Sequence, residues 1–170
     1  MVDAREKVKL QCADDAILEV DKEDAMASSL IKGLIDDGSA DEPDSVLPVT
    51  QVSAATMEKC MVFVAHMRET STEPEIEQPL PSNDLSQHVE AWYHTYITSE
   101  VDQALLFDIV LAANYLDIKP LLKLGSAKIA SLIKGKPIEE IRQFFQMEND
   151  FTPEEEANVI EENQFAAEYF

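Results

Sequence analysis

Residues 102–116 read DQALLFDIVLAANYL, and no other part of the chain is so apolar. In the ten positions from Ala104 to Ala113 only Asp108 is polar. Asp102 is a good N-cap, Leu, Ala and Phe suit a helix, and neither Gly nor Pro interrupts, so the stretch predicts a single helix. A helix apolar nearly all round has to be covered on most of its faces. Ten such residues fall short of the about 20 that cross a bilayer, so the predicted cover is protein, with this helix at the centre of the fold. At its far end the character changes. Leu105, Ile109, Ala112 and Leu116 follow one apolar stripe, while Asp108 and Tyr115 lie on another face with Asn114 beside them. That edge is free to meet water or a partner. For Asn114 and Tyr115 two readings stand on physics alone: a helix end with an ordinary rim aromatic, or a contact surface.

Working outward, 170 residues with 45% hydrophobic content fit one domain with room for an appendage. Thirteen Lys and Arg against 34 Asp and Glu leave a net charge of -21, which repels phosphate backbones and anionic lipid alike. Nucleic acid and membrane are therefore excluded as expected partners. The opening MVDAREKVKL carries charges where a leader would need an apolar core, and Cys12 and Cys60 lack CxxC spacing. The expectation is a reduced protein of the cytosol and nucleus, without disulfide or zinc site.

Before the central helix, Val8, Leu10 and Cys12 alternate with Lys7, Lys9 and Gln11 as in a half-buried strand. Asp14 and Asp15 supply a turn, and residues 17–20 return as the second strand of a hairpin. Asp21 is read as the N-cap of one helix ending near Gly38, with Met26, Leu30 and Leu34 along a stripe. Residues 46–49 form a short strand that Pro48 confines to an edge. Ser53 caps a helix in which Met57, Met61 and Val64 recur, with Cys60 and Met67 flanking them. Residues 68–84 turn to Glu, Ser, Thr and three prolines and are read as an exposed, mobile loop. Trp92, Tyr93 and Tyr96 follow as a packing cluster.

Beyond the central helix Pro120 opens another, which Gly135 and Pro137 stop. Leu122, Ser126, Ile129 and Ile133 make one stripe on it, with Gly125 and Ser126 small enough for close approach. Residues 137–170 hold ten acids and one base, a net -9 against -12 for the rest. Ile138, Ile141 and Phe145 mark a short amphipathic helix there. Thr152 and Glu155 form a capping box around Pro153, so a second helix starts clearly. Its large apolar groups are few: Val159, Ile160 and Phe165 before the last two residues. Their burial contributes about 5 to 9 kcal/mol, against an ordering cost of about 1 to 2 kcal/mol per residue. Either another molecule completes the packing, or this is a solvated acidic tail with incidental helicity.

Catalytic constellations are missing. There is no GxGxxG, and the Gly33 to Gly38 spacing is followed by Ser39 rather than the lysine of a phosphate loop. His66, His88 and His94 form no HExxH pair, no GxSxG elbow occurs, and the carboxylates sit mainly in solvated charge runs. No cofactor and no metal are expected.

LAANYLDIK (residues 111–119), IKGK followed by PIEEIR (133–142), NDFTPEEE (149–156) and ENQF (162–165) together resemble the motif order of the Skp family. These are the adaptor subunits of Skp, cullin and F-box (SCF) ubiquitin ligases. The likeness spans nearly the whole chain, strongly from Asp102 onward and more loosely before it. It implies an α/β fold, a BTB/POZ-like domain over residues 1–136 with a two-helix C-terminal extension over 137–170. It implies a non-catalytic adaptor that joins a cullin to F-box proteins in ubiquitin-dependent degradation. By motif, Asn114 and Tyr115 are the implied cullin contacts. Leu106, Leu122, Ile129 and Ile133, with Val159 and Phe165 from the tail, are the implied F-box contacts. Family members commonly carry Trp where Phe165 stands, and some hydroxylate the proline corresponding to Pro153. The alternative is a divergent relative that uses the same surface for F-box proteins outside a cullin complex, or for self-association as a homodimer.

Overall fold

The computed structural model describes residues 6–38 and 45–162. Three strands form a small mixed sheet in the order β2-β1-β3: β1 (Lys7–Gln11), β2 (Ile17–Asp21) and β3 (Val46–Pro48). β1 and β2 are an antiparallel hairpin with Leu10 opposite Leu18, and β3 joins β1 in parallel with Leu47 opposite Leu10. The hairpin turn needs a left-handed residue, and Asp15 takes that role at φ 59°. Alternation places Val8, Leu10 and Cys12 inside, as expected from the period of two. Pro48 lies on an edge strand, where its missing N–H costs no ladder bond.

A parallel partner requires a crossover, which α1 (Lys22–Ala25) and α2 (Ser29–Asp36) provide. The sequence predicted one helix here, and the structure corrects this to two. Ser28 breaks the run: it is extended, fully buried, and its hydroxyl accepts from the Ile31 amide at 3.2 Å while donating to the Leu116 carbonyl at 2.6 Å. A serine that can bond its own backbone favours a cap over a helix interior.

α3 (Ala54–Thr70) runs from its Ser53 cap, packs mainly on α5 and buries Met57, Cys60, Met61, Phe63 and Val64. At its end Arg68 gathers Asp21, Glu23 and Asp24 at 3.7, 2.8 and 2.9 Å, tying α3 to the start of α1. α4 (Ala91–Thr98), α5 (Gln103–Tyr115) and α6 (Lys119–Ile133) complete the core. Tyr93 and Phe63 are fully buried, and Trp92 stacks between His66 and Tyr96. The aromatic cluster is thus packing, as its position ahead of the central helix implied.

The segment before α4 is mostly exposed, as its composition predicts, but it is anchored at several points. α3 extends to Thr70, Pro74 is buried, and Ile76 and Leu80 pack against the core. The Tyr93 hydroxyl donates to the Thr72 carbonyl at 2.8 Å, and the Lys134 ammonium donates to the carbonyls of Leu80 and Pro81. Three well-placed apolar side chains and a few polar bonds turn a polar composition into a strap along the body.

Two short helices follow α6: α7 (Ile138–Phe144) and α8 (Pro153–Glu162). The architecture is a mixed α/β body with a helical C-terminal extension, as expected.

Candidate functional site

α5 and α6 place every sequence-predicted contact of the body. Asp102 caps α5 by accepting from the Leu105 amide at 2.8 Å. Leu106, Ile109, Ala112 and Ala113 then face inward. Leu106, an implied partner contact, is only 2% exposed and belongs to the core of the chain by itself. Its spacing explains this burial: it lies three and seven residues before Ile109 and Ala113, on the inward stripe.

The cover over α5 is less complete than an all-apolar helix predicts. Leu111 is 68% exposed. It precedes Asn114 and Tyr115 by three and four residues, so the three side chains share one helical face. Asn114 is exposed and Tyr115 half-buried. Sequence reasoning missed Leu111 because hydrophobicity alone cannot say which side of an apolar helix is left open. The signal was its spacing from Asn114 and Tyr115. Asp117 at φ 54° and the Ile118 amide, bonded to the Ala113 carbonyl at 2.9 Å, turn the chain sharply into α6.

On α6 the buried residues are Leu121, Leu124, Gly125, Ala127 and Ser131. The stripe read from sequence is the flank of that face: Leu122, Ile129 and Ile133 are half-buried and Ser126 is exposed. Of the two small residues, only Gly125 serves a close approach. A β-carbon there would sit 2.5 Å from Cγ2 of Val110 on α5. The two helices therefore cross so closely here that any side chain would force Val110 to shift.

The extension is built differently. α7 rests on α5 through aromatic rings, with Phe107 5.9 Å from both Phe144 and Phe145 between centroids. The Gln103 amide also donates to the Phe144 carbonyl. α8 has the predicted capping box: the Thr152 amide donates to the Glu155 carboxylate at 2.9 Å, and the Glu155 amide to the Thr152 hydroxyl at 3.3 Å. These bonds hold the Glu155 carboxyl below the usual range, first through the backbone bond from Thr152 and then through its side chain. Arg142 links α7 to α8 by pairing with Glu156 at 3.1 Å.

None of the described residues of α7 or α8 is buried. Val159 is 40% and Ile160 61% exposed, and Ile138, Met147 and Phe151 are exposed as well. Pro153 is exposed at the first position of α8, and Phe165 lies outside the described residues. From α6 to α8 the chain thus presents a half-covered apolar surface, the pattern of an interface core before its partner arrives. Among the described residues no three His, Cys, Asp or Glu are grouped to hold a metal ion. No described helix is long and apolar enough to cross a membrane.

Comparison with known proteins finds two family signatures along the chain. Residues 6–69 match the family model described as the Skp1 family, tetramerisation domain, and residues 119–166 match the Skp1 family, dimerisation domain. The S-phase kinase-associated protein 1 homolog of Tetrahymena thermophila is 43% identical over 162 residues, covering 95% of each chain. The E3 ubiquitin ligase complex SCF subunit sconC of Talaromyces stipitatus is 38% identical over 94% of this chain and 96% of its own. The SCF ubiquitin ligase complex protein SKP1a of Dictyostelium discoideum is 37% identical over 93% and 94%. With two family signatures in chain order and relatives aligned nearly end to end, this protein belongs to the Skp1 family.

Proposed function

We propose that this chain is the non-catalytic adaptor of an SCF-type ubiquitin ligase in the cytosol and nucleus, holding an F-box substrate receptor on one surface and a cullin on another. Two relatives carry SCF subunit names. The observation that carries the reading is the apolar surface left half-covered from α6 through α8, which a helical partner would complete. Leu122, Ile129, Ile133 and Val159 are the described contacts proposed for the F-box, with Phe165 beyond them. Leu111, Asn114 and Tyr115 form a separate face on α5, proposed for the cullin. The two buried free thiols suit a reducing compartment.

Co-purification with a cullin N-terminal fragment and with an F-box domain tests both assignments. The double variant Asn114→Lys, Tyr115→Lys should lose the cullin and keep the F-box domain, since it places charge in the proposed contact; because Tyr115 is half-buried against the core, retained F-box binding also shows that the variant is folded. Deletion of residues 137–170 should do the reverse. Retention of the cullin by the first variant, or full F-box affinity in the second, would refute the corresponding assignment. Stable F-box binding by an unmodified chain that never binds the cullin would favour the divergent-relative alternative.

A further inference from the structure

Residues 137–170 hold ten acids and a single base, and that base sits where the two helices of the extension meet. The backbone of Arg142 closes α7. Gln146 takes a left-handed φ of 54°, its amide donates to the Gln143 carbonyl at 3.1 Å, and the Met147 amide donates to the Arg142 carbonyl at 2.8 Å. This pair of bonds ends a helix and turns the chain back. The side chain of Arg142 then meets the returning chain. Its guanidinium pairs with Glu156 at 3.1 Å and lies 6.0 Å from the centre of the Phe151 ring. The Asn149 side-chain amide donates to the same Glu156 oxygen at 3.3 Å, while its oxygen accepts from the Phe151 amide at 3.3 Å.

Exposure shows what attaches α8. An amphipathic helix ordinarily docks through its apolar side chains. Among the described residues of α8, however, Glu156 alone is half-covered, while Val159 and Ile160 are exposed. The helix is held by a charge rather than by a core. The paired side chains are 17% and 37% exposed, so solvent and salt screen them less than an open surface pair. Glu156 lies three and four residues before Val159 and Ile160, on the same helical face. Gripping it fixes the rotation of α8, and with it the direction of both apolar side chains, without covering them.

We propose that Arg142 is the positioning residue of the extension: through Glu156 it holds α8 in one orientation before the F-box arrives, so that binding costs less ordering. Arg142 acts through α8 and not by touching the partner. This role rests on the reading of the extension as part of the F-box surface. The exposure of Val159 and Ile160 opposes the converse role, a latch that shuts the surface, because a closed latch would bury them.

The test uses full-length Arg142→Gln, Glu156→Ala, the double variant, Arg142→Lys and Ile133→Glu. Titration calorimetry reads affinity for a purified F-box domain, and hydrogen exchange reads the α8 amides in the free chain. Arg142→Gln and Glu156→Ala should each weaken binding about three- to ten-fold and quicken α8 exchange. The double variant should be no weaker than the weaker single, and Arg142→Lys should fall between parent and Arg142→Gln. Both residues lie outside the core, so the variants should melt with the parent. Losses that multiply in the double variant would mean that Arg142 meets the partner directly, and tighter binding by either single would mean a latch; each overturns the positioning role. If both singles bind as the parent does while Ile133→Glu weakens, the role is overturned and the F-box surface stands. If Ile133→Glu also binds normally, the F-box reading falls, and exchange in the free chain decides whether Arg142 holds α8: parent-like rates in Arg142→Gln would remove that too.

Discussion

Replacing Gly125 by alanine is the sharpest test of how the two halves of this adaptor are joined. A methyl group there would lie 2.5 Å from Cγ2 of Val110 and 3.8 Å from its Cβ. Carbon atoms pack best at about 3.5 to 4.0 Å, so one contact is short by about 1 Å or more. Valine in a helix is held in essentially one χ1 rotamer, so Val110 cannot swing aside cheaply. Overpacking of this kind costs about 1 to 3 kcal/mol. Helix propensity works the other way, because Ala exceeds Gly by about 1 kcal/mol in a helix interior. The expected net effect is a loss of about 0 to 2 kcal/mol. For a chain of this length that lowers the melting temperature by up to about 8 °C. Urea unfolding of Gly125→Ala, Val110→Ala and the double variant would measure it. The double variant should show favourable coupling of about 1 kcal/mol or more, since removing the valine branches removes the clash. A single Gly125→Ala variant more stable than the parent would mean that propensity acts unopposed, and would refute the close crossing of α5 and α6.

Two further predictions concern titration. The Glu155 carboxyl, lowered by its bonds to Thr152, should titrate by NMR below the ordinary glutamate range. Its contribution to helix α8 is fully present above the unfolded-state pKa and is lost as pH falls through the depressed folded value; Thr152→Ala, which keeps the backbone donor and removes only the hydroxyl bond, should raise the midpoint part of the way, and an ordinary midpoint in the parent would refute the capping box. Cys60 has its thiol pushed up to about 12 by burial. It should resist iodoacetamide at pH 8 until the protein unfolds, and its contribution to stability, complete below the unfolded thiol pKa, should disappear as pH rises toward 12. Rapid alkylation of native Cys60 would contradict its placement in the core.

What the sequence made legible was whatever a local rule governs. Caps at Ser53, Asp102 and Thr152, the strand alternation around Leu10 and the stop after Ile133 all appear where their residues require. What it hid depended on long-range partners. Ser28 interrupts a good helical pattern because a carbonyl 88 residues away takes its hydroxyl. Pro74, Ile76 and Leu80 looked like loop residues until α4 and α6 supplied something to pack on. On the candidate surfaces, periodicity found the α6 stripe but could not separate its flank from its buried face. Leu106 and Leu111 are equally apolar in sequence, and only the packed fold shows that one is core and the other is open.

The bond from Ser28 to the Leu116 carbonyl also orders events during synthesis. The hydroxyl waits in the first part of the chain for an acceptor made much later, so the end of α5 cannot lock in place until about residue 116 has left the ribosome. At 5 to 20 residues per second that is a delay of roughly 4 to 18 seconds. The face of α5 proposed for the scaffold, which also leans on α6 at Val110 and Gly125, thus stays unfinished until the chain well past residue 116 has emerged.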